Sequence, residues 1–150
     1  VVGGSGATMG LVICYLRSRS AHLRSIGRLS VVPSIFNINE PVIFGTPIVM
    51  NPVFFIPFLL APMVNAVLAW AAMKLDLIGR VISVVPWTAP APVGAAWALG
   101  WDYRAAILVV LLALVSAVIY FPFFKVYEKQ LLAQEKEEAQ RIEEENQQVA

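Results

Sequence analysis

Phe36-Asn37-Ile38-Asn39-Glu40-Pro41-Val42-Ile43-Phe44-Gly45 is the stretch that decides how the chain is read. Glu40 is followed by no other charge until Lys74. A carboxylate at membrane depth is costly, and such residues usually mark a substrate or ion pathway. Two asparagines supply donors and acceptors beside it, while Pro41 removes an amide and resists helix continuation. Irregular backbone of this kind is tolerated in a membrane where protein or a water-filled cavity covers it. The segment therefore reads as a broken, polar point inside an apolar surround. The competing reading is an interfacial loop with a solvated Glu40.

Working outward, the chain has 150 residues, 59% of them hydrophobic, and a net charge of +1. Its mean hydropathy of +0.72 lies far from that of a soluble domain. The charge balance favours neither nucleic acid nor an acidic partner. Cys14 is the single cysteine, so no internal disulfide and no cysteine metal cluster can form. No metal or cofactor is expected. The first residue is Val, with no basic leader before the apolar run, so the chain reads as a piece of a longer protein.

Five apolar stretches and a polar tail follow in order. Val1 to Leu16 holds Gly3-Gly4-Ser5-Gly6, which no Gly-Lys-Ser/Thr follows, and Gly6 and Gly10 at a spacing that suits close helix contact in lipid. The loop Arg17 to Arg28 carries Arg17, Arg19, Arg24 and Arg28 without an acid, which places it in the cytoplasm. His22 in that loop reads as a surface histidine. Pro33 to Met50 contains too much Pro and Gly for a simple span and reads as a re-entrant hairpin with Glu40 near its tip. Val53 to Met73 is long enough to cross, with Asn65 needing a partner inside the bundle. Val81 to Leu99 carries Pro86, Pro90 and Pro92 around Trp87-Thr88 and reads as folding back. There Trp87 is either an interface anchor or a platform for a sugar ring. Trp101 to Phe124 is the last span, and the Glu-, Gln- and Lys-rich residues from Lys125 onward form a solvated helix.

The fold expected is all-α and integral to the membrane: three transmembrane helices, two re-entrant segments and a cytoplasmic carboxy-terminal helix or tail. Residues 1–124 are then the membrane-embedded part and 125–150 the charged tail. Five full spans would satisfy the same charge rule, but the proline density favours three.

The long Asn-Glu-Pro run, with Pro47 and Asn51-Pro52 after it, resembles the membrane IIC subunit of the bacterial phosphotransferase system. It is most similar to the lactose, cellobiose and diacetylchitobiose branch. Gly3-Gly4-Ser5-Gly6-Ala7-Thr8, Ala61-Pro62-Met63-Val64-Asn65 and Pro86-Trp87-Thr88-Ala89-Pro90 extend the resemblance over most of Val1 to Phe124. It implies the carboxy-terminal part of a multi-pass permease of the bacterial inner membrane. The complete protein would bind a disaccharide and present its C6 hydroxyl to a cytosolic IIB subunit that carries phosphate on a cysteine. It also implies a homodimer formed through an amino-terminal half that this chain lacks.

Glu40 is implied as the residue at the reacting hydroxyl. Asn37, Asn39, Trp87 and Thr88 are implied as further sugar-binding residues. The family's histidine near that hydroxyl lies in a segment before Val1, and His22 does not stand for it. Complete, such a protein is one component of a protein-phosphocysteine–sugar phosphotransferase; this chain alone is expected neither to transport nor to phosphorylate. Two other classes compete: an ion-coupled secondary transporter in which Glu40 titrates, and a purely structural membrane bundle. A second buried carboxylate near Glu40 would favour the first, and a substrate-sized cavity beside Glu40 would count against the second.

Overall fold

The computed structural model describes residues 3–149, so the expected ends at Val1, Val2 and Ala150 lie outside it. Among the described residues every regular element is helical. A 3-10 turn at Ser5–Ala7 leads into α1 (Met9–Leu16), α2 (Ala21–Ile35), α3 (Glu40–Gly45), α4 (Pro52–Lys74), α5 (Ala91–Ala98) and α6 (Tyr103–Val149).

Among the described residues two helices are long and apolar enough to span a membrane. These are α4, with mean hydropathy 2.0 in its best window, and α6, with 2.7. At 1.5 Å per residue the 23 residues of α4 reach about 35 Å, against a hydrocarbon core of about 30 Å. Both turn large apolar side chains outward, Met63, Val67 and Trp70 on α4 and Ile107, Val110 and Val118 on α6. The first apolar stretch, expected as a span, is instead the 3-10 turn and an eight-residue α1 of about 12 Å. Gly3, Gly4 and Gly6, all at positive φ, prevent the helix from starting earlier.

The Arg-rich stretch is also less of a loop than expected. Ser20 caps α2 by accepting from the Leu23 amide, and residues from Ala21 onward are helical. Leu23, Ile26, Gly27, Ser30 and Ser34 form the buried stripe at helical spacing, which leaves Arg24 and Arg28 exposed. Pro33 stands inside α2 rather than opening a new segment, and the helix ends two residues later. Its end is a Schellman cap: the Ile38 amide donates to the Pro33 carbonyl at 3.0 Å and the Asn37 amide to Ser34 at 3.1 Å. Asn37, at φ 61, takes the left-handed position such caps require.

The chain then turns back. Gly27 of α2, before the Pro33–Met50 stretch, lies against Tyr15; Thr46 within the stretch and Phe54 of α4 come to that same tyrosine. The Tyr15 and Thr46 hydroxyls are 2.8 Å apart, and the Tyr15 ring meets Phe54 edge-on with centroids 6.3 Å apart. The segments before and after the turn are thus both fixed to one buried residue. Residues 81–99 fold back as well, since the Ile82 amide donates to the Ala98 carbonyl at 2.9 Å.

Around Tyr15 lie Leu11, Ile48, Phe54, Tyr120 and Phe124, which form the core where α1, α4 and α6 meet. Gly10 lets α1 approach α6 closely, because a Cβ there would overlap the backbone of Ser116 and Ala117. Gly6, by contrast, sits in the turn against Phe58. Asn65 finds its partner inside the bundle, donating to the Ser116 hydroxyl at 2.8 Å. The apolar-to-charged change at Lys125 does not break the last helix: α6 runs through it to Val149. The extension is not simply solvated. Glu128 accepts from the Ser18 hydroxyl and the Arg19 amide, each at 2.6 Å, and Glu135 from the Ser20 hydroxyl at 2.6 Å. The basic end of α2 and the acidic extension therefore share one end of the molecule.

Candidate functional site

At the tip of the hairpin, three segments far apart in sequence meet around a cavity of about 490 Å³. Gly4 and Ser5 of the glycine turn, Asn37, Asn39 and Glu40, and the Val85–Ala89 loop supply its walls, and α5 closes it through Ala91, Gly94 and Ala95. Glycine at position 4 is what allows the first two segments to meet. A Cβ there would stand 2.6 Å from the Asn37 carbonyl oxygen and 2.8 Å from the Asn39 Oδ1, and φ at Gly4 is 82.

The two asparagines hold this arrangement together. Asn37 Nδ2 donates to the carbonyls of Trp87 and Ala89, both at 3.0 Å, while its Oδ1 accepts from the Gly3 amide at 3.2 Å. Asn39, nearly buried, donates through Nδ2 to the Ser5 carbonyl at 2.6 Å. Both donors of the Asn37 amide are thus committed to backbone. These bonds tie the glycine turn and the 85–89 loop to the hairpin tip.

Glu40 opens α3 with Pro41 behind it and is exposed to the cavity. Trp87 stands on the rim, 73% exposed, with Pro86 beside it. Of the residues expected to form the site, Asn37, Asn39, Glu40 and Trp87 come together on the cavity wall. Thr88 is exposed and does not line it. His22 is exposed on α2, near the opposite end of the hairpin from the tip. Gly94 and Ala95 of α5 were invisible as site residues, because small residues give no chemical signal of their own.

Chemically, the cavity offers one carboxylate, a flat aromatic face and several backbone groups. That set suits a neutral polyhydroxyl ligand: the aromatic ring takes an apolar face and the carboxylate accepts from a hydroxyl. Among the described residues no group of His, Cys, Asp and Glu side chains is arranged to hold a metal.

The family model described as "Phosphotransferase system, EIIC" matches residues 1–62. The lichenan permease IIC component of Bacillus subtilis is 43% identical over 136 residues, which cover 89% of this chain and 30% of that protein. The lactose-specific EIICB component of Streptococcus mutans is 45% identical over 140 residues, covering 91% of this chain and 24% of that protein. The crystal structure of the transporter ChbC, the IIC component from the N,N'-diacetylchitobiose-specific phosphotransferase system, superposes with a TM-score of 0.86. It is 44% identical, and the match covers 90% of this chain and 32% of ChbC. The chain thus spans 24–32% of the length of these relatives.

Over the part that matches, the fold is that of a membrane transporter component, and two of its described helices are long and apolar enough to cross a membrane. The chain belongs to the phosphotransferase-system EIIC family, on the branch with lactose, cellobiose and diacetylchitobiose relatives.

Proposed function

We propose that the cavity at the hairpin tip is the sugar site of a phosphotransferase-system IIC permease to which this chain contributes. In the complete protein it binds a disaccharide and presents the C6 hydroxyl to a phosphorylated IIB partner. The observation that carries this reading is the meeting of Glu40 and Trp87 on one cavity wall, with Asn37 hydrogen-bonded to the Trp87 carbonyl. The volume of about 490 Å³ is in the range of small-ligand sites. A space of that size beside Glu40 counts against a purely structural bundle. A second carboxylate would favour an ion-coupled mechanism, and among the described lining residues Glu40 is the one carboxylate.

In the proposed reaction the C6 oxygen attacks the phosphorus of the IIB phosphocysteine. The new O–P bond forms as the S–P bond breaks, and the hydroxyl proton leaves toward solvent or Glu40. Such transfers depend chiefly on aligning the acceptor and on electrostatics. Glu40 accepts a hydrogen bond from the hydroxyl and aims its lone pair at the donor. Residues 1–124 form the embedded part and 125–150 the extension, with the Arg17–Arg28 end and the extension facing the cytoplasm. The dimer contact belongs to the rest of the complete protein.

A structure of the full-length protein with a bound disaccharide tests the assignment. Sugar in this cavity, with a hydroxyl within hydrogen-bond distance of Glu40, supports it. Sugar bound elsewhere overturns it.

A further inference from the structure

A second hollow, of about 510 Å³, follows the seam between α1 and α6. It shares no lining residue with the cavity at Glu40. Most of its length is apolar. Ile13 lies on one side, and Leu114, Val118 and Phe121 form the other, each of these three more than half exposed. The two helices touch along its floor, where the Cys14 thiol is 3.9 Å from the Ala117 carbonyl oxygen.

At one end the lining becomes cationic: Arg17, Arg19 and Lys125 converge there with Glu128. The Glu128 carboxylate is already engaged, accepting from the Ser18 hydroxyl and the Arg19 amide at 2.6 Å each. Three positive side chains thus face one carboxylate that is hydrogen-bonded to the protein. Lys125 Nζ lies 5.3 Å from the Phe121 ring centroid, where the apolar and charged parts join.

An apolar channel with a cationic end matches a molecule that is hydrocarbon along most of its length and anionic at its head. We infer that this groove binds an anionic phospholipid. Its phosphate sits among Arg17, Arg19 and Lys125, and one acyl chain lies along Ile13, Leu114 and Val118. Basic pockets beside membrane helices recognise such head groups, and arginine pairs with phosphate through its fork of donors. A zwitterionic lipid offers the same chain without the net charge. The inference rests on the membrane placement of α6, not on the sugar assignment.

Full-length protein carrying p-benzoylphenylalanine in place of Phe121, reconstituted into vesicles of equal phosphatidylglycerol and phosphatidylcholine, gives a direct reading after irradiation. Adducts to phosphatidylglycerol are expected to exceed those to phosphatidylcholine by on the order of tenfold. The ratio should fall toward one in an R17Q/R19Q/K125Q variant. High salt should lower it in protein without those changes, a check that does not depend on the triple variant folding. Equal adducts at low salt, no lipid adduct, or cross-linking to another segment of the polypeptide would each overturn the inference.

Discussion

The Asn37 side-chain amide donates to the Trp87 carbonyl at 3.0 Å across 50 residues of sequence. Asn37 is also the left-handed residue of the cap that ends α2. One side chain thus connects the hairpin tip to the loop that carries the aromatic wall. Replacing it separates two effects. Asn37→Gly keeps the turn and loses the clamp, whereas Asn37→Ala loses the clamp and leaves at positive φ a Cβ without the polar side chain that lets Asn tolerate it. Hydrogen exchange of residues 85–90 should accelerate in both variants. Asn37→Ala should further lower stability by about 1 kcal/mol relative to Asn37→Gly. Unchanged exchange in both would show that the clamp does not order the loop.

Trp87 stands exposed on the cavity rim. If it stacks on a sugar ring, Trp87→Ala should weaken disaccharide binding to the full-length protein by on the order of 1–3 kcal/mol, and Trp87→Phe should retain part of the affinity. Equilibrium binding measures both. Parental affinity in the two variants would leave Trp87 as an interface anchor alone.

Glu128 accepts two short hydrogen bonds at the base of α2, from Ser18 and Arg19. Bonds to charged groups contribute about 1.5–3 kcal/mol each when partly shielded, less where water competes. Glu128→Ala is expected to destabilise the folded protein by roughly 2 kcal/mol. It should also speed amide exchange at Arg19, more than Lys129→Ala does. Thermal unfolding in detergent with exchange mass spectrometry reads both. Equal behaviour of the two variants would mean that the α6 extension does not hold the hairpin.

Gly10 faces the α6 backbone with no room for a side chain. Gly10→Val should force α1 away from Ala117 and cost about 1–3 kcal/mol by overpacking. Gly79, with nothing near its Cβ position, provides the tolerant control in Gly79→Ala. A melting temperature unaffected by Gly10→Val would contradict the close contact of α1 with α6.

The sequence made some of this legible and concealed the rest for physical reasons. Pro41, Gly45 and Pro47 inside an apolar run exposed the break around Glu40, because local backbone chemistry is written locally. The turn-back of residues 81–99 was readable from Pro86 and Pro90 on the same grounds. α1 appeared long enough to span because its composition hides the positive φ values at Gly3, Gly4 and Gly6. Tail residues looked solvated because the serines that bind Glu128 and Glu135 lie more than a hundred positions away. Helix continuity across Lys125 was masked too: composition changes there, and Pro122 just before it lacks an amide to donate, yet α6 runs on. The partners of the two asparagines were not readable either: Asn37 gives both donors to the Trp87 and Ala89 carbonyls, and Asn39 gives one to the Ser5 carbonyl.

The central claim is that Glu40 orients the reacting hydroxyl. It is tested most directly by phosphorylating uptake of radiolabelled disaccharide into vesicles containing the full-length protein and its phosphorylated IIB partner. Glu40→Gln preserves size and removes the anionic acceptor. Uptake with phosphorylation should fall by roughly 100-fold. The variant should still insert into the membrane and unfold at the parental temperature. Phosphorylation at a near-parental rate by the Gln variant would contradict the account.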